Sequence, residues 1–535
     1  MIHSKILFSS VTLLSSALVL TISAKDKPRP NILFIMSDDH DAKAVSAYGS
    51  GLNRTPNIDR IAREGMLFRN CFVTNSISGP SRAAILTGKF SHKNGYYDNR
   101  GGAEFDGSQQ TFPKLLQAAG YQTAVIGKWH LGSTPTGFDY YSVHIGQGTY
   151  YSPEFQEPQG RKTYEGAYAT DLTLQNSIKW LEKTDKSKPF CLLMQFKAPH
   201  RNWMPAVEKM AMYEDHTFPV PANFFDDYDG RRAAKEQKMS IEKSMNLGGD
   251  LKLVGYKNTE LGETLENELN RMTPEQRAAF DKIYLPVKEN FESANLSGKE
   301  LTLWKYQRYM HDYMKCISSV DDNVGKMIDY LKANGLWENT IVVYTSDQGF
   351  YLGEHGWFDK RFMYEESFHT PLLVSYPKMI KKATETNALA QNIDFASTLL
   401  DLAGIKIPGG MQGESLKPIL CNPKQQVRKA LYYHYYEFPM PHAVKRHYGI
   451  RTDRYKLIHF YDDIDEWELY DLKNDPTEMK NQINNPQLAK IKQALMADLL
   501  KLQQKYDDTE PTKSYLKYIN SGVYEEKLYK YASEN

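Results

Sequence analysis

Short, continuously apolar runs recur along this chain, and most of them end on residues that carry chemistry. Residues 32–36 read Ile-Leu-Phe-Ile-Met, and comparable runs occupy 123–126, 190–196, 341–344 and 372–375. Apolar runs of this length, without alternation, suit strands buried on both faces, as in a parallel sheet covered by helices. Helix-like stretches lie between them at 57–64, 111–119, 169–181, 301–334 and 390–403. Strand and helix in alternation predict an α/β domain.

The pattern changes in two places. Residues 205–300 are charged, rich in Lys and Glu and poor in strand signals, and read as a helical and loop insertion on the sheet's rim. Pro408-Gly409-Gly410 marks a break, after which aromatic-rich, alternating segments at 430–438, 448–451, 455–461 and 468–471 predict a small antiparallel sheet. A helix is expected at 486–506. The expected organisation is a catalytic unit over 25–408 and a smaller α+β subdomain over 409–535. At the N-terminus, His3 and Lys5 precede an apolar run that closes on Ile22-Ser23-Ala24, followed by Lys25-Asp26-Lys27. This reads as a secretory signal peptide over residues 1–24, giving an exported protein, periplasmic or secreted, with no membrane span after cleavage.

Charge and cysteine content exclude some classes. With 66 Lys+Arg against 65 Asp+Glu there is no broad basic field of the kind that binds nucleic acid. Four cysteines in 535 residues, with no C-x-x-C pair, exclude a disulfide-framed scaffold and a zinc-finger pattern. The 36 tyrosines suit a small polar ligand such as a sugar.

Ligands of open α/β sheets collect at the carboxyl ends of the strands. There the runs are followed by Ser37-Asp38-Asp39-His40, Gly127-Lys128-Trp129-His130, Lys197-Ala198-Pro199-His200 and Thr345-Ser346-Asp347-Gln348-Gly349. Taken singly, Asp38-Asp39 could cap a helix and Asp347-Gln348-Gly349 could form a turn. Four such endings on one edge exceed what turn chemistry requires. Their oxygen donors suit calcium or magnesium rather than zinc. Lys128 and His130, two apart, would point the same way on an extended segment. Between these endings, Ser78-Gly79-Pro80-Ser81-Arg82 has the form of a helix start. Ser78 is there either an N-cap or a nucleophile in the favourable field of a helix N-terminus.

Ser78-x-Pro80-Ser81-Arg82 followed by Thr87-Gly88 resembles the sulfatase signature in its serine form. The resemblance extends through the four endings above, Gly353-Glu354-His355-Gly356 with Lys360, and Leu469-Tyr470-Asp471-Leu472 with Asp475-Pro476. It implies an alkaline-phosphatase-like sandwich with a central, mostly parallel sheet. It also implies that a maturation enzyme converts Ser78 to formylglycine. Asp38, Asp39, Asp347 and Gln348 would hold one Ca²⁺, touched also by residue 78. Position 348 is more often Asn or His in the family. Arg82 would steady the formylglycine, Lys128 and Lys360 would bind sulfate oxygens, and His200 would protonate the leaving alcohol. His130 would act on the formylglycine diol.

Within the family the chain looks most like N-acetylglucosamine-6-sulfatases, which implies a 6-O-sulfated glucosamine of heparin or heparan type as substrate. Asp359, Arg361 and His442 are candidates for the sugar hydroxyls, with Lys128, His200 and Lys360 beside them; a local salt bridge is the alternative for Asp359 and Arg361. Arg446 and His447 are further candidates. Other sulfated glycans (2-O- or galactose 6-O-sulfate), or a phosphatase or phosphodiesterase of the same superfamily, are the competing functions. A non-catalytic glycan-binding protein is another.

Overall fold

The computed structural model describes residues 29–99, 103–258, 264–439 and 441–514. The leader expected at 1–24 lies outside the described residues. Ten strands form one sheet: β1 (Asn31–Ser37), β2 (Met66–Phe72), β3 (Gln122–Gly127), β4 (Tyr140–His144), β5 (Glu154–Glu157), β6 (Gly160–Thr163), β7 (Phe190–Gln195), β8 (Thr340–Ser346), β9 (Leu372–Ser375) and β10 (Thr384–Gln391). Their order is β10-β2-β9-β8-β1-β7-β3-β4-β5-β6. The run β8-β1-β7-β3-β4 is parallel, while β9 runs against β2 and β8, and β4-β5-β6 turn back on themselves.

Side chains alternate across β1. Leu33 and Ile35 join the apolar layer under the helices Ile58–Arg63, Ala169–Lys183 and Gly298–Ala333. Ile32, Phe34 and Met36 join the opposite layer, with the helices Ser78–Thr87, Phe112–Ala118 and Asp394–Leu402. Every residue of β1 and β8 is buried, as expected of strands covered on both faces. The register brings the strand ends level: Met36 pairs with both Gln195 and Thr345, and Gly127 with Gln195.

Long apolar runs announce only strands buried on both faces. The strands β2, β4, β5, β6 and β10 are absent from the sequence-based set because they lie toward the sheet's ends, where polar residues such as Arg69, Asn70 and Lys162 are tolerated. The helix expected at 390–403 starts late for the same reason: Ala390 and Gln391 complete β10 against Cys71 and Phe72, and the helix begins at Asp394.

A second, four-stranded antiparallel sheet holds β11 (Ala430–Tyr435), β12 (His447–Thr452), β13 (Tyr455–Phe460) and β14 (Glu466–Asp471) in sequence order. One face packs against the helix Ala489–Lys505 through Tyr432, Ile450, Leu457 and Leu499. The other, with Leu431, Tyr433, Tyr435 and Ile458, packs onto Phe72, Phe362 and Phe368 of the main body. Within 205–300, the helices Arg232–Glu236, Leu265–Leu269 and Pro274–Ala294 form, and Leu251, Leu265 and Phe280 join the core of the long helix Gly298–Ala333. No helix among the described residues is long and apolar enough to cross a membrane.

Candidate active site

Ser78 is the first residue of the helix Ser78–Thr87, all ten of whose residues are buried. The residue in the cap position is Ile77, and no side chain caps this helix, so Ser78 is not an N-cap. Its hydroxyl instead donates to Asp38 Oδ1 at 2.9 Å. A Cβ on the next residue, Gly79, would stand 2.6 Å from both Asn99 Oδ1 and the Tyr96 ring, so a larger residue there would push these side chains aside.

Asp38 and Asp39 follow β1 and Asp347 follows β8, and all three are sealed from solvent. Neither Asp38 nor Asp39 caps a helix; Asp41 does that for Ala42–Ala44. Asp39 has φ 62°, a left-handed conformation that Asp tolerates, and its N–H reaches Asp347 Oδ1 at 3.2 Å. Cations surround the group. Arg82 grips Asp347 Oδ2 through Nε and Nη2 at 3.0 and 2.8 Å, and its Nη2 lies 3.4 Å from Asp38. Lys128 pairs with Asp38, and Lys360 Nζ sits 2.7 Å from Asp39. Gln348 Nε2 donates to Asp39 Oδ1 at 2.5 Å and to Ser78 Oγ at 3.3 Å, which leaves its carbonyl oxygen buried and without a partner among the described residues.

The electrostatics is uneven. Burial favours neutral Asp38, but Lys128, His200, Arg82 and Lys360 outweigh it and hold its carboxyl well below the usual range. Asp39 is pushed up to about 7 by burial and by Asp38, Asp347 and Asp359, against the pull of Lys360. Burial and Asp38 also raise Asp347. Three buried carboxylates and a spare amide oxygen form a hard, oxygen-rich donor set in which burial raises Asp39 and Asp347 even with Lys360 and Arg82 beside them. That set fits a divalent cation of the calcium type. Asp38, Asp39 and His200 each bring one potential ligand atom within 4.8 Å of the others.

His200 follows β7. Its Nδ1 lies 2.7 Å from the Arg201 carbonyl oxygen, which directs Nε2 toward Asp39 at 3.8 Å. Burial and the nearby Lys128, Lys360 and Lys197 lower its pKa well below the ordinary value. His130 has φ 54°, so the segment from Lys128 is not extended and the expectation of two parallel side chains fails. The two are nevertheless close enough to interact: after burial, Lys128 is the main cause of a strongly lowered His130 pKa.

On the other side of Lys360, Asp359 and Arg361 have φ 81° and 96°. Such backbone is costly for non-glycine residues and persists where surrounding contacts over-determine it. Arg361 Nε donates to Asp359 Oδ1 at 3.0 Å, and His442 Nε2 lies 3.1 Å from Asp359 Oδ2. The local salt bridge therefore forms, and His442 joins it. Arg446 and His447 are not brought here: Arg446 holds the carbonyls of Tyr436 and Phe438, and His447 accepts from the Met363 N–H.

Residues outside the sequence-based set complete the site. Gln147 accepts from Lys128 at 2.7 Å through its side chain and from Lys197 at 3.1 Å through its carbonyl. Lys197 stood in the same strand ending as His200 and could have been singled out. Gln147, Asn99 and Glu437, the last paired with Arg361 and accepting the Asn99 N–H, lie in loops with no motif to mark them.

This chain belongs to the sulfatase family, and it is a sulfuric ester hydrolase. The family model "Sulfatase" matches residues 30–405, and "N-sulphoglucosamine sulphohydrolase, C-terminal" matches residues 353–505. An N-acetylglucosamine-6-O-sulfatase from Bacteroides thetaiotaomicron is 52% identical over 498 residues, covering 91% of this chain and 88% of the relative. A solved structure in complex with its substrate D-glucosamine-2-N,6-O-disulfate superimposes with a TM-score of 0.87 at 52% identity, covering 90% of this chain and 99% of that one. The phosphonate monoester hydrolase of Agrobacterium radiobacter shares the fold at 19% identity, with a TM-score of 0.65, 89% of this chain and 96% of that one.

Proposed function

We propose that this protein hydrolyses the 6-O-sulfate of glucosamine or N-acetylglucosamine units from heparin or heparan-type glycans, through residue 78 as nucleophile. The observation that carries this reading is the position of Ser78 Oγ, at a buried helix N-terminus against Asp38 and Gln348, with Lys128 and Lys360 on the flanking carboxylates. The 52% identity to an N-acetylglucosamine-6-O-sulfatase over most of both chains supports the substrate.

Asp38, Asp39, Asp347 and the Gln348 carbonyl would hold one Ca²⁺, which would supply positive charge to offset that of the sulfate. Converted to formylglycine by a maturation enzyme and hydrated, residue 78 would supply one hydroxyl as the nucleophile toward sulfur and a second whose loss of a proton would re-form the carbonyl as the bond to sulfate breaks. The other residues bind, orient and move protons. Arg82, locked on Asp347, holds the head of the nucleophile's helix in register with the carboxylates. Lys128 and Lys360 bind the non-bridging oxygens and offset the charge that otherwise repels an anionic nucleophile. His200, its Nδ1 side anchored on the Arg201 carbonyl, directs Nε2 to protonate the departing sugar oxygen. His130, near Lys128, serves the hydroxyls of residue 78. Asp359, Arg361 and His442 address the sugar's other hydroxyls. Arg361 faces two carboxylates, so its remaining edge suits a neutral hydroxyl better than a second sulfate. The catalytic unit spans 25–408, the subdomain from 409 closes the sugar side, and the N-terminal leader exports the chain to the periplasm or medium.

The mass of the peptide carrying Ser78 tests the mechanism. In active protein it is expected to be lighter by about two hydrogens, the change from CH2OH to CHO, and Ser78→Ala is expected to cut turnover by at least ~10⁴-fold. Full activity from an unmodified Ser78 would refute it.

A further inference from the structure

On β11 every second side chain faces the main body, and Glu437 continues that alternation just beyond the strand's end. Three residues of this face, Tyr433, Tyr435 and Glu437, bridge two parts of the site that are distant in sequence. Tyr433 Oη donates to the Arg361 carbonyl at 2.6 Å and accepts the Ser76 N–H at 3.0 Å. Tyr435 Oη lies 3.5 Å from Arg361 Nη1. Glu437, 1% exposed, pairs with the same Nη1 through Oε2, while its Oε1 accepts the Asn99 N–H at 3.1 Å. Asn99 Oδ1 in turn accepts the N–H of Gly79, the residue after Ser78, at 2.9 Å. A single strand edge thus ties the start of the nucleophile's helix to the guanidinium beside Lys360.

The consequence for Arg361 is directional. Asp359 takes Nε and Glu437 takes Nη1, and Nη2 has no partner among the described residues. A planar guanidinium held at two of its three nitrogens can present the third in one orientation only. The left-handed backbone at Arg361 needs such external support.

We propose that Glu437 is a positioning residue for sugar recognition: it aims the free edge of Arg361 at a sugar hydroxyl and, through Asn99, keeps that edge in register with residue 78. This rests on the reading of Arg361 as a hydroxyl-binding residue. Substrate contact itself belongs to Arg361, so the two residues should act as a unit.

A double-mutant cycle tests it, run on whichever of a set of 6-O-, 2-O- and 4-O-sulfated saccharides the wild type hydrolyses fastest. A wrong 6-O assignment then appears as a different best substrate and leaves the cycle intact. Glu437→Gln is expected to raise KM by ~10-fold with a smaller change in kcat, because a misaimed group costs binding before chemistry. In an Arg361→Lys background the same change is expected to raise KM by less than ~2-fold further, since the group it positions is already gone. Glu437→Asp, which keeps the charge on a shorter arm, carries the cycle if Glu437→Gln does not fold. An unchanged KM, a loss confined to kcat, or losses that multiply in the double variant would overturn the proposal.

Discussion

Asp39 sits with Asp38 and Asp347 in a space closed to solvent, and its carboxyl is pushed up to about 7 by burial and by those neighbours. Such an arrangement is costly for folding alone and favourable for binding a cation. The chain should therefore gain stability from Ca²⁺ independently of catalysis. At about 100 times the dissociation constant the gain is about 2.7 kcal/mol, read as a higher melting temperature in Ca²⁺ than in chelator. Asp39→Asn should lose most of that difference, and an undiminished shift in the variant would place the cation elsewhere. Individual residues were legible in the sequence where a strand delivered them. Asp38, Lys128, His200 and Asp347 all follow buried strands whose ends the register levels. Asn99, Gln147 and Glu437 were not legible, because their roles come from hydrogen bonds across chain separations that no local pattern records.

Elements show a second use of buried charge. The long helix Gly298–Ala333 carries Asp312, fully buried, with Lys252 Nζ of the 205–300 segment at 3.1 Å and Lys315 Nζ at 3.2 Å, while Tyr284 donates to it at 2.7 Å. Burial alone would raise its pKa, but Lys252, Lys315 and Arg308 outweigh it and hold the carboxyl well below the unfolded value of 3.8. A depressed carboxylate stabilises the fold above that value, and the contribution is lost as pH falls below it. Asp312→Asn should cost about 3–5 kcal/mol at neutral pH, because it leaves the buried Lys252 without its carboxylate partner, while Lys315 keeps Glu214. Denaturant melts should also show the wild type losing more stability than the variant between about pH 5 and pH 3. Equal acid sensitivity would contradict this assignment. Segment 205–300 illustrates the limit of element-level reading. Its charge-rich composition suggests helices and loops, but Lys252 and Asp312 meet inside the core, which periodicity does not foretell. The central strands were legible because they are buried on both faces, and the outer ones were not because polar residues interrupt them.

Across the whole molecule, 66 cationic side chains balance 65 anionic ones, yet the proposed substrate is an anionic glycan. The resolution is local. Arg82, Lys128 and Lys360 are all at most 4% exposed and lie on the three buried carboxylates, so a cation held by those carboxylates would leave net positive charge where a single sulfate is proposed to fit. The second sheet meets that site through its β11 edge, where Tyr433 and Glu437 reach Arg361. Sulfate release is the most direct test of the account. Matured protein is offered glucosamine 6-sulfate, its N-acetyl and N-sulfated forms, and 2-O- and 4-O-sulfated saccharides at equal concentration. The kcat/KM for the 6-O-sulfated glucosamines is expected to be at least ~100-fold above the others, a difference of about 2.7 kcal/mol in transition-state stabilisation. Comparable rates on 2-O- or 4-O-sulfates, or none on glucosamine 6-sulfate, would contradict it.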